Sequence, residues 1–239
     1  MKNITIAMPF HNEEENLKIL LPEIVKIINR IKKNKIQIFL VDDCSKDNSY
    51  NFCKKFIKKQ KKTKIKLLKL KKRGKQTGAI KRAIEYIKSD YIITMDSDLQ
   101  DPPKYLPLFI KKINKNYDLV VGCRAVRKKI PYILKVAIKV YDFILEIILK
   151  KKLETYRTPF AAYKSKYIKN LPWYKNDHRY LVPISIFRGA KKCTIVRYTP
   201  QDRKFGKTHY NAVLKIFPGF FEVMIFILKV KLGYYDKRI

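Results

Sequence analysis

Acidic residues are scarce in this chain: Asp and Glu together number 20 in 239 residues, against 55 Lys and Arg, for a formal charge of +35. Acids are therefore not spread evenly as solubilising charge, and any place where several gather asks for a reason. So positive a balance suits anionic partners such as lipid headgroups, phosphates or nucleic acid. Part of the excess is compositional, since Lys, Ile, Asn, Tyr and Phe are abundant together, as an AT-rich coding sequence favours. The lysine-rich run over 54–75 surrounds a short apolar stretch and reads as a solvated rim. Cysteine is also sparse, and Cys44, Cys53, Cys123 and Cys193 include no close pair. That excludes a zinc ribbon, a dithiol redox motif and a disulfide framework, and the thiols read as reduced. His11, His178 and His209 do not fall at a metal-ligand spacing. An uninterrupted membrane-length apolar run is missing as well. The stretch over 130–149 is long enough, but Lys135, Lys139, Asp142 and Glu146 break it at steps of four, three and four. On a helix these fall on one face and leave an apolar face opposite, the pattern of an amphipathic surface helix. There is no internal repeat and no low-complexity linker, and the first residues read as a strand leading into a motif, so no signal peptide is expected.

What is present is one α/β pattern with enough apolar residues (46%) for a real core. Apolar runs predict strands over 4–8, 36–41, 65–70, 91–95 and 118–121, alternating with helices over 13–33, 48–60, 76–88 and 104–114. The second half is less regular. Its last apolar stretch, over 217–232, carries Pro218, Gly219, Glu222, Lys229 and Lys231. With Phe220, Phe221, Phe226, Tyr234 and Tyr235 it suits a membrane interface, where lysines meet anionic lipid, or packing against the sheet or a partner subunit.

The scarce acids gather where strands end. The strand over 91–95 runs into Asp96-Ser97-Asp98, and Pro102-Pro103 prevents its continuation. Two hard oxygen ligands one residue apart suit a divalent cation that keeps water and phosphate in its shell. The first strand ends in Pro9-Phe10-His11-Asn12-Glu13-Glu14, where Asn12 is placed to cap the next helix and the glutamates to meet its dipole. The second ends in Asp42-Asp43, followed by Ser45 and Asp47, either placed to cap the helix that follows. Ligands of open α/β sheets bind at such carboxyl ends.

The segments Pro9–Glu14 and Val41-Asp42-Asp43-Cys44-Ser45 resemble the opening motifs of glycosyltransferase family 2. Asp96-Ser97-Asp98-Leu99-Gln100-Asp101-Pro102-Pro103 resembles the metal-binding motif of its dolichol- and polyprenyl-phosphate sugar transferase branch. Val121-Gly122-Cys123-Arg124 and the segment from Arg203 to Tyr210 resemble later motifs of that branch. The resemblance implies a GT-A fold: a Rossmann-like, mostly parallel central sheet flanked by helices, with C-terminal amphipathic helices at the membrane interface. It implies a catalytic domain over 1–215, with a nucleotide-sugar half over 1–124 and an acceptor half over 125–215, followed by an amphipathic segment over 216–239. The activity implied is inverting transfer from a nucleoside-diphosphate sugar to a polyprenyl phosphate, with Mg2+ or Mn2+, by an enzyme peripheral on the cytoplasmic membrane face. A membrane partner protein or a second copy are further candidate partners. Asp96, Asp98 and Gln100 are the implied metal ligands, and Asp96, Asp98 and Arg203 the catalytic set. Pro9, His11, Glu13, Val41, Asp42, Asp43, Asp96 and Ser97 are the implied donor site. Arg124, Arg157, Arg203 and Lys207 are the candidate phosphate binders, since guanidinium forks match phosphate oxygens and an ammonium pairs with them as a point charge. Around Arg157 the chain departs from the family, which usually has an Asp and a Gly shortly before this Arg where this chain reads Lys-Lys-Leu-Glu-Thr-Tyr over 151–156. The acceptor is therefore open between a lipid phosphate, already an anion, and a glycan hydroxyl, which needs a general base. Asp177 is the one later acid placed for that role, and a structural turn acid is its plainer reading. A basic nucleic-acid-binding protein on the same fold is the non-enzymatic alternative, and anionic clusters at the strand tips argue against it.

Overall fold

A computed structural model describes residues 1–125, 132–201 and 216–236, with the side chains of Leu134 and of residues 216–220 left aside. The first half follows the expected alternation: β1 (Lys2–Phe10), α1 (Glu14–Ile28), β2 (Asn34–Asp42), α2 (Ser49–Lys59), β3 (Lys64–Lys69), α3 (Lys75–Tyr86), β4 (Tyr91–Thr94), α4 (Leu106–Asn114) and β5 (Leu119–Arg124). After it come α5 (Tyr132–Leu149), β6 (Ala161–Lys164), a 3-10 turn at Asp177–Tyr180, α6 (Leu181–Phe187), β7 (Cys193–Tyr198) and α7 (Ile216–Lys231). The first helix stops at Ile28 rather than 33, because the chain turns through Asn29–Ile31 to deliver β2.

One seven-stranded sheet has the order β3-β2-β1-β4-β6-β5-β7. Only β6 is antiparallel to its neighbours, so the other strands all end at one edge. The chain steps outward from β1 through β2 to β3, then crosses back over β1 to form β4. The crevice at the ends of β1 and β4 is thus the topological switch point, the usual ligand position of such sheets. The sheet runs unbroken across position 124, with β6 of the second half inserted between β4 and β5. Gly122 makes that insertion possible, since a Cβ there would lie 2.5 Å from the Phe160 carbonyl oxygen and 3.0 Å from the Tyr198 ring.

Strand periodicity divides the core into two layers. Ile4, Ile6 and Met8 of β1, Ile38 and Leu40 of β2, and Tyr91 and Ile93 of β4 face α1 and α4. Their neighbours Ala7, Phe39, Val41 and Ile92 face the other way, toward a layer that includes α3, α5, α6 and α7. In the second layer α5 turns Tyr141 and Leu145 inward, and α7 turns in Val223, Phe226, Ile227 and Val230. Their outer sides stay apolar: Ile133, Val136, Val140, Phe143 and Ile147 on α5 are exposed, as are Phe221, Met224, Ile225 and Leu228 on α7. Lys135 and Lys139 share the exposed side of α5 with these apolar residues, where the spacing alone had separated them onto opposite faces. No helix among the described residues is long and apolar enough to cross a membrane.

Candidate active site

The ends of β1 and β2 are stitched together by their own polar residues. Asn12 adopts a left-handed backbone (φ 56°), and its side-chain oxygen accepts from the Lys46 N–H at 2.7 Å. Its backbone N–H donates to Ser45 Oγ (3.0 Å), and the Glu13 N–H donates to Ser49 Oγ (2.9 Å). Asn12 is thus a bridge between loops rather than a helix cap, and α1 starts without a side-chain cap. Asp47, not Ser45, receives the Ser49 N–H at the start of α2 (3.0 Å). His11 Nδ1 lies 2.8 Å from the Asp43 carbonyl oxygen.

Asp42 and Asp43 diverge from this stitched edge. Asp42 is fully buried, with one oxygen accepting from the Ser45 N–H (2.8 Å) and the other lacking a hydrogen-bond partner. That bond ties Asp42 to the turn that follows β2. Asp43 accepts from the Gly74 N–H (2.6 Å), which ties β2 to the turn before α3. Burial raises its pKa above the usual carboxylate range, with the Gly74 N–H opposing that rise.

Beyond β4 the Asp-Ser-Asp segment crosses the same edge. Asp96 accepts from Gln76 Nε2 of α3 (2.8 Å). Burial, with added repulsion from Asp101 and Asp98, pushes its carboxyl up to about 8, against the pull of Arg124 and Gln76. Asp98 is buried and accepts from the Gln100 N–H at 3.1 Å, across Leu99 in a left-handed conformation (φ 64°). Among the described residues no three His, Cys, Asp or Glu side chains converge to hold a metal by themselves. The donor set still fits a divalent cation that shares its shell with phosphate oxygens, since a cation would relieve the repulsion that raises Asp96. The Gln100 side-chain oxygen accepts from Arg124 Nη1 (3.2 Å), which leaves it one lone pair for any other partner.

Arg124 stands where the resemblance places a phosphate binder, and its guanidinium is turned onto the Asp-rich loop. Besides Gln100 it donates from Nη2 to Asp101 (3.2 Å) and from Nε to the Tyr198 hydroxyl (3.2 Å), and that hydroxyl donates to Asp101 at 2.5 Å. Asp101 has no exposed surface, and its second oxygen has no hydrogen-bond partner. Asp101 lies inside the Asp-rich motif, yet nothing in the sequence sets it apart from its neighbours. Tyr198 and Gln76 carried no local signal, because the contacts that matter span 97 and 20 residues.

In the second half of the chain, β6 runs against its neighbours, so the segment before it lies at the same edge as Asp96. Thr94 at the end of β4 donates to the Pro159 carbonyl oxygen (2.7 Å). Arg157 is exposed, with its guanidinium carbon 4.8 Å from the centre of the Tyr141 ring of α5. Asp177 is engaged structurally: it accepts from the Tyr174 N–H (2.8 Å) and the Tyr235 hydroxyl (3.0 Å), with Lys229 Nζ at 4.0 Å. Arg203 and Lys207 lie outside the described residues.

The model of the family described as "Glycosyl transferase family 2" matches residues 5–171, from β1 through the carboxylate edge and β6. The chain belongs to glycosyl transferase family 2. Curated relatives of this family 2 chain include an undecaprenyl-phosphate 4-deoxy-4-formamido-L-arabinose transferase of Photorhabdus laumondii, 26% identical over 88% of this chain and 64% of that protein. The Pectobacterium carotovorum protein of the same name is 28% identical over 88% and 63%. The chain thus spans just under two thirds of the length of these relatives. Among solved structures, glucosyl-3-phosphoglycerate synthase from Mycobacterium tuberculosis with phosphoglyceric acid superposes with a TM-score of 0.70 at 14% identity, covering 96% of this chain and 80% of the other. The same enzyme with Mn2+, UDP-glucose and phosphoglyceric acid gives 0.64 at 14% identity over 100% and 81%. That likeness shows the fold, the GT-A arrangement of a mostly parallel sheet flanked by helices.

Proposed function

We propose that this chain transfers a sugar, with inversion, from a nucleoside-diphosphate sugar to a polyprenyl phosphate at a membrane surface. One observation carries the reading. Arg157, a cation suited to phosphate, rests on Tyr141, and Tyr141 belongs to the helix whose outer side is apolar and exposed. A headgroup site and a surface for an isoprenoid chain are therefore neighbours, on the edge where Asp42, Asp43, Asp96 and Asp98 gather. The names of the curated relatives support the same acceptor class.

In the reaction an acceptor phosphate oxygen attacks the anomeric carbon, the bond from that carbon to the diphosphate breaks, and the nucleoside diphosphate leaves. Asp96 and Asp98 would hold a Mg2+ or Mn2+ ion, with Gln100 offering its remaining lone pair. The metal supplies charge neutralisation for the departing diphosphate. Glu13 and Asp43 are the candidate ribose and base contacts, with Pro9, His11, Val41 and Ser97 around them. Asp42 and Arg124 hold the loops that present these groups. Arg157, with Arg203 and Lys207, binds phosphate. An attacking phosphate is already anionic, so no side chain need remove a proton. A hydroxyl acceptor would require a base, and the commitment of Asp177 to Tyr174, Tyr235 and Lys229 argues against it as that base. The apolar sides of α5 and α7, with lysines among them, would dock on the anionic cytoplasmic face. The test is a donor screen with purified protein, polyprenyl phosphate and Mg2+ or Mn2+. Lipid-linked sugar phosphate from one donor supports the reading, and transfer to glycan hydroxyls alone overturns it.

A further inference from the structure

Two phenolic hydroxyls in the second layer have no hydrogen-bond partner although their residues are almost wholly enclosed. Tyr141 is 6% exposed and Tyr180 3%, and neither hydroxyl donates or accepts. Buried polar atoms are nearly always paired in native proteins, so two orphans in one place call for an explanation. Tyr180 acts on Tyr141, and the charges of Arg157 and Arg179 act on both phenols, with Asp142 opposing them at Tyr141 and Glu222 and Asp177 at Tyr180. Arg157 rests on the Tyr141 ring, and Arg179 precedes Tyr180 in the 3-10 turn, held by Glu222 of α7 at 3.0 Å. Phe226 of α7 stacks on the Tyr180 ring with centroids 4.5 Å apart and fixes it.

We propose that Tyr141, Tyr180, Arg157 and Arg179 form the subsite that takes the phosphate group of the acceptor. The assignment rests on the polyprenyl-phosphate reading and adds to it the residues that recognise the headgroup. All four groups can donate, so the ligand they complete is rich in acceptors and anionic. A phosphate monoester offers oxygens to two hydroxyls and two guanidinium forks. The turn carrying Arg179 and Tyr180 is pinned to the first turn of α3, where Thr77 Oγ1 lies 2.7 Å from His178 Nδ1 and accepts from the Asn176 N–H at 3.1 Å. The residue before Thr77 is Gln76, which holds Asp96. The subsite therefore adjoins the donor edge from the side where the apolar surfaces of α5 and α7 begin.

The test uses Tyr141→Phe, Tyr180→Phe and their double variant, which remove the orphaned hydroxyls and keep the rings. Binding of geranyl phosphate is titrated calorimetrically, with geraniol, inorganic phosphate and UDP as separate arms, alongside melting temperature. We expect wild type to bind geranyl phosphate and not geraniol, and the double variant to bind it about tenfold more weakly, the loss expected for bonds to a charged group. Melting should be unchanged or higher, since no satisfied bond is lost, and UDP affinity should move less than twofold. In turnover the KM for polyprenyl phosphate should rise while the donor KM and kcat at saturating acceptor hold. Weaker inorganic phosphate binding in the double variant would likewise support a site for the phosphate group. Equal binding of geranyl phosphate by a folded double variant overturns the subsite, as does a loss confined to UDP. Geraniol binding as well as geranyl phosphate also overturns it. Transfer undisturbed by the double variant sinks the subsite and leaves the polyprenyl-phosphate reading standing. Residue-dependent binding of geranyl phosphate without transfer to any polyprenyl phosphate does the reverse. Arg157→Gln and Arg179→Gln extend the series, with Arg179→Gln read against its own melting temperature because it releases Glu222.

Discussion

The carboxylate edge proposed as the donor site and the flank proposed as the acceptor site are built differently. At the donor edge many of the contacts are between backbone amides and the side chains of loops that follow neighbouring strands: Asn12 with Lys46, Ser45 with Asp42, Gly74 with Asp43. The acceptor flank is held by side chains from distant segments, such as Thr77 with His178, Arg179 with Glu222 and Tyr235 with Asp177. Backbone-anchored loops demand particular residue types at particular spacings, so they leave a motif. Side-chain contacts between helices can be made in many ways, and they leave none.

The sharpest break of this comparison is at the donor edge. Asp98→Ala should lower turnover at saturating donor by about a thousandfold or more, the loss of about 4 kcal/mol of charge stabilisation, with little change in melting. Asp96→Asn should be nearly as damaging to turnover yet leave melting unchanged or raised, because burial and the neighbouring carboxylates already oppose its charge. Near-normal turnover in both would remove the metal assignment.

Next in size is the buried pair behind that edge. Asp101→Ala leaves Arg124 without its carboxylate partner, and breaking a buried pair from one side costs roughly 3–5 kcal/mol. Since Arg124 is about one third exposed, about 3 kcal/mol is expected, a fall of roughly 6–12 °C in a domain of this size. A shift under about 2 °C would show the pair to be dispensable.

The outer faces come third. Phe143→Glu with Phe221→Glu should weaken sedimentation with anionic vesicles by tenfold or more, since each ring is exposed and its insertion is worth about 1.5–3 kcal/mol. Neutralising lysines over 54–64 should matter much less, and salt should release the protein only in part. Equal effects would point to nonspecific charge attraction.

The smallest effects concern the acceptor flank and pH. Asp177→Asn should slow transfer less than tenfold, about 1.4 kcal/mol of barrier, and a hundredfold loss would restore it as a base. In the fold His178 is pushed down to about 4 by burial, with Arg179 and Arg157 adding to it. The unfolded chain then binds the extra proton between about pH 6.5 and 4, so stability falls as pH drops through that window. Asp177, pushed up to about 6 by burial, acts oppositely: the folded state holds its proton longer, so this group favours folding as pH falls from about 6 to 4. His178→Asn should therefore flatten the acid loss of melting temperature and Asp177→Asn steepen it, each by on the order of 2 kcal/mol. Parallel acid limbs in all three proteins would remove this account.

The amino-acid sequence by itself determined the alternation of the first half and the gathering of acids at strand ends. Short β-branched apolar runs separated by polar turns favour buried strands, and Pro102-Pro103 leaves no way to extend β4. The strand order was not written in it, nor the antiparallel insertion of β6, which depends on Gly122 admitting the Phe160 carbonyl. The partners of Arg124 were likewise invisible, because a guanidinium at a strand end suits phosphate or carboxylate equally and only the fold supplies Asp101 and Tyr198. Tyr141 and Tyr180 carried no signal in the sequence; only three-dimensional packing encloses both rings, leaves both hydroxyls without partners and sets Arg157 on the Tyr141 ring.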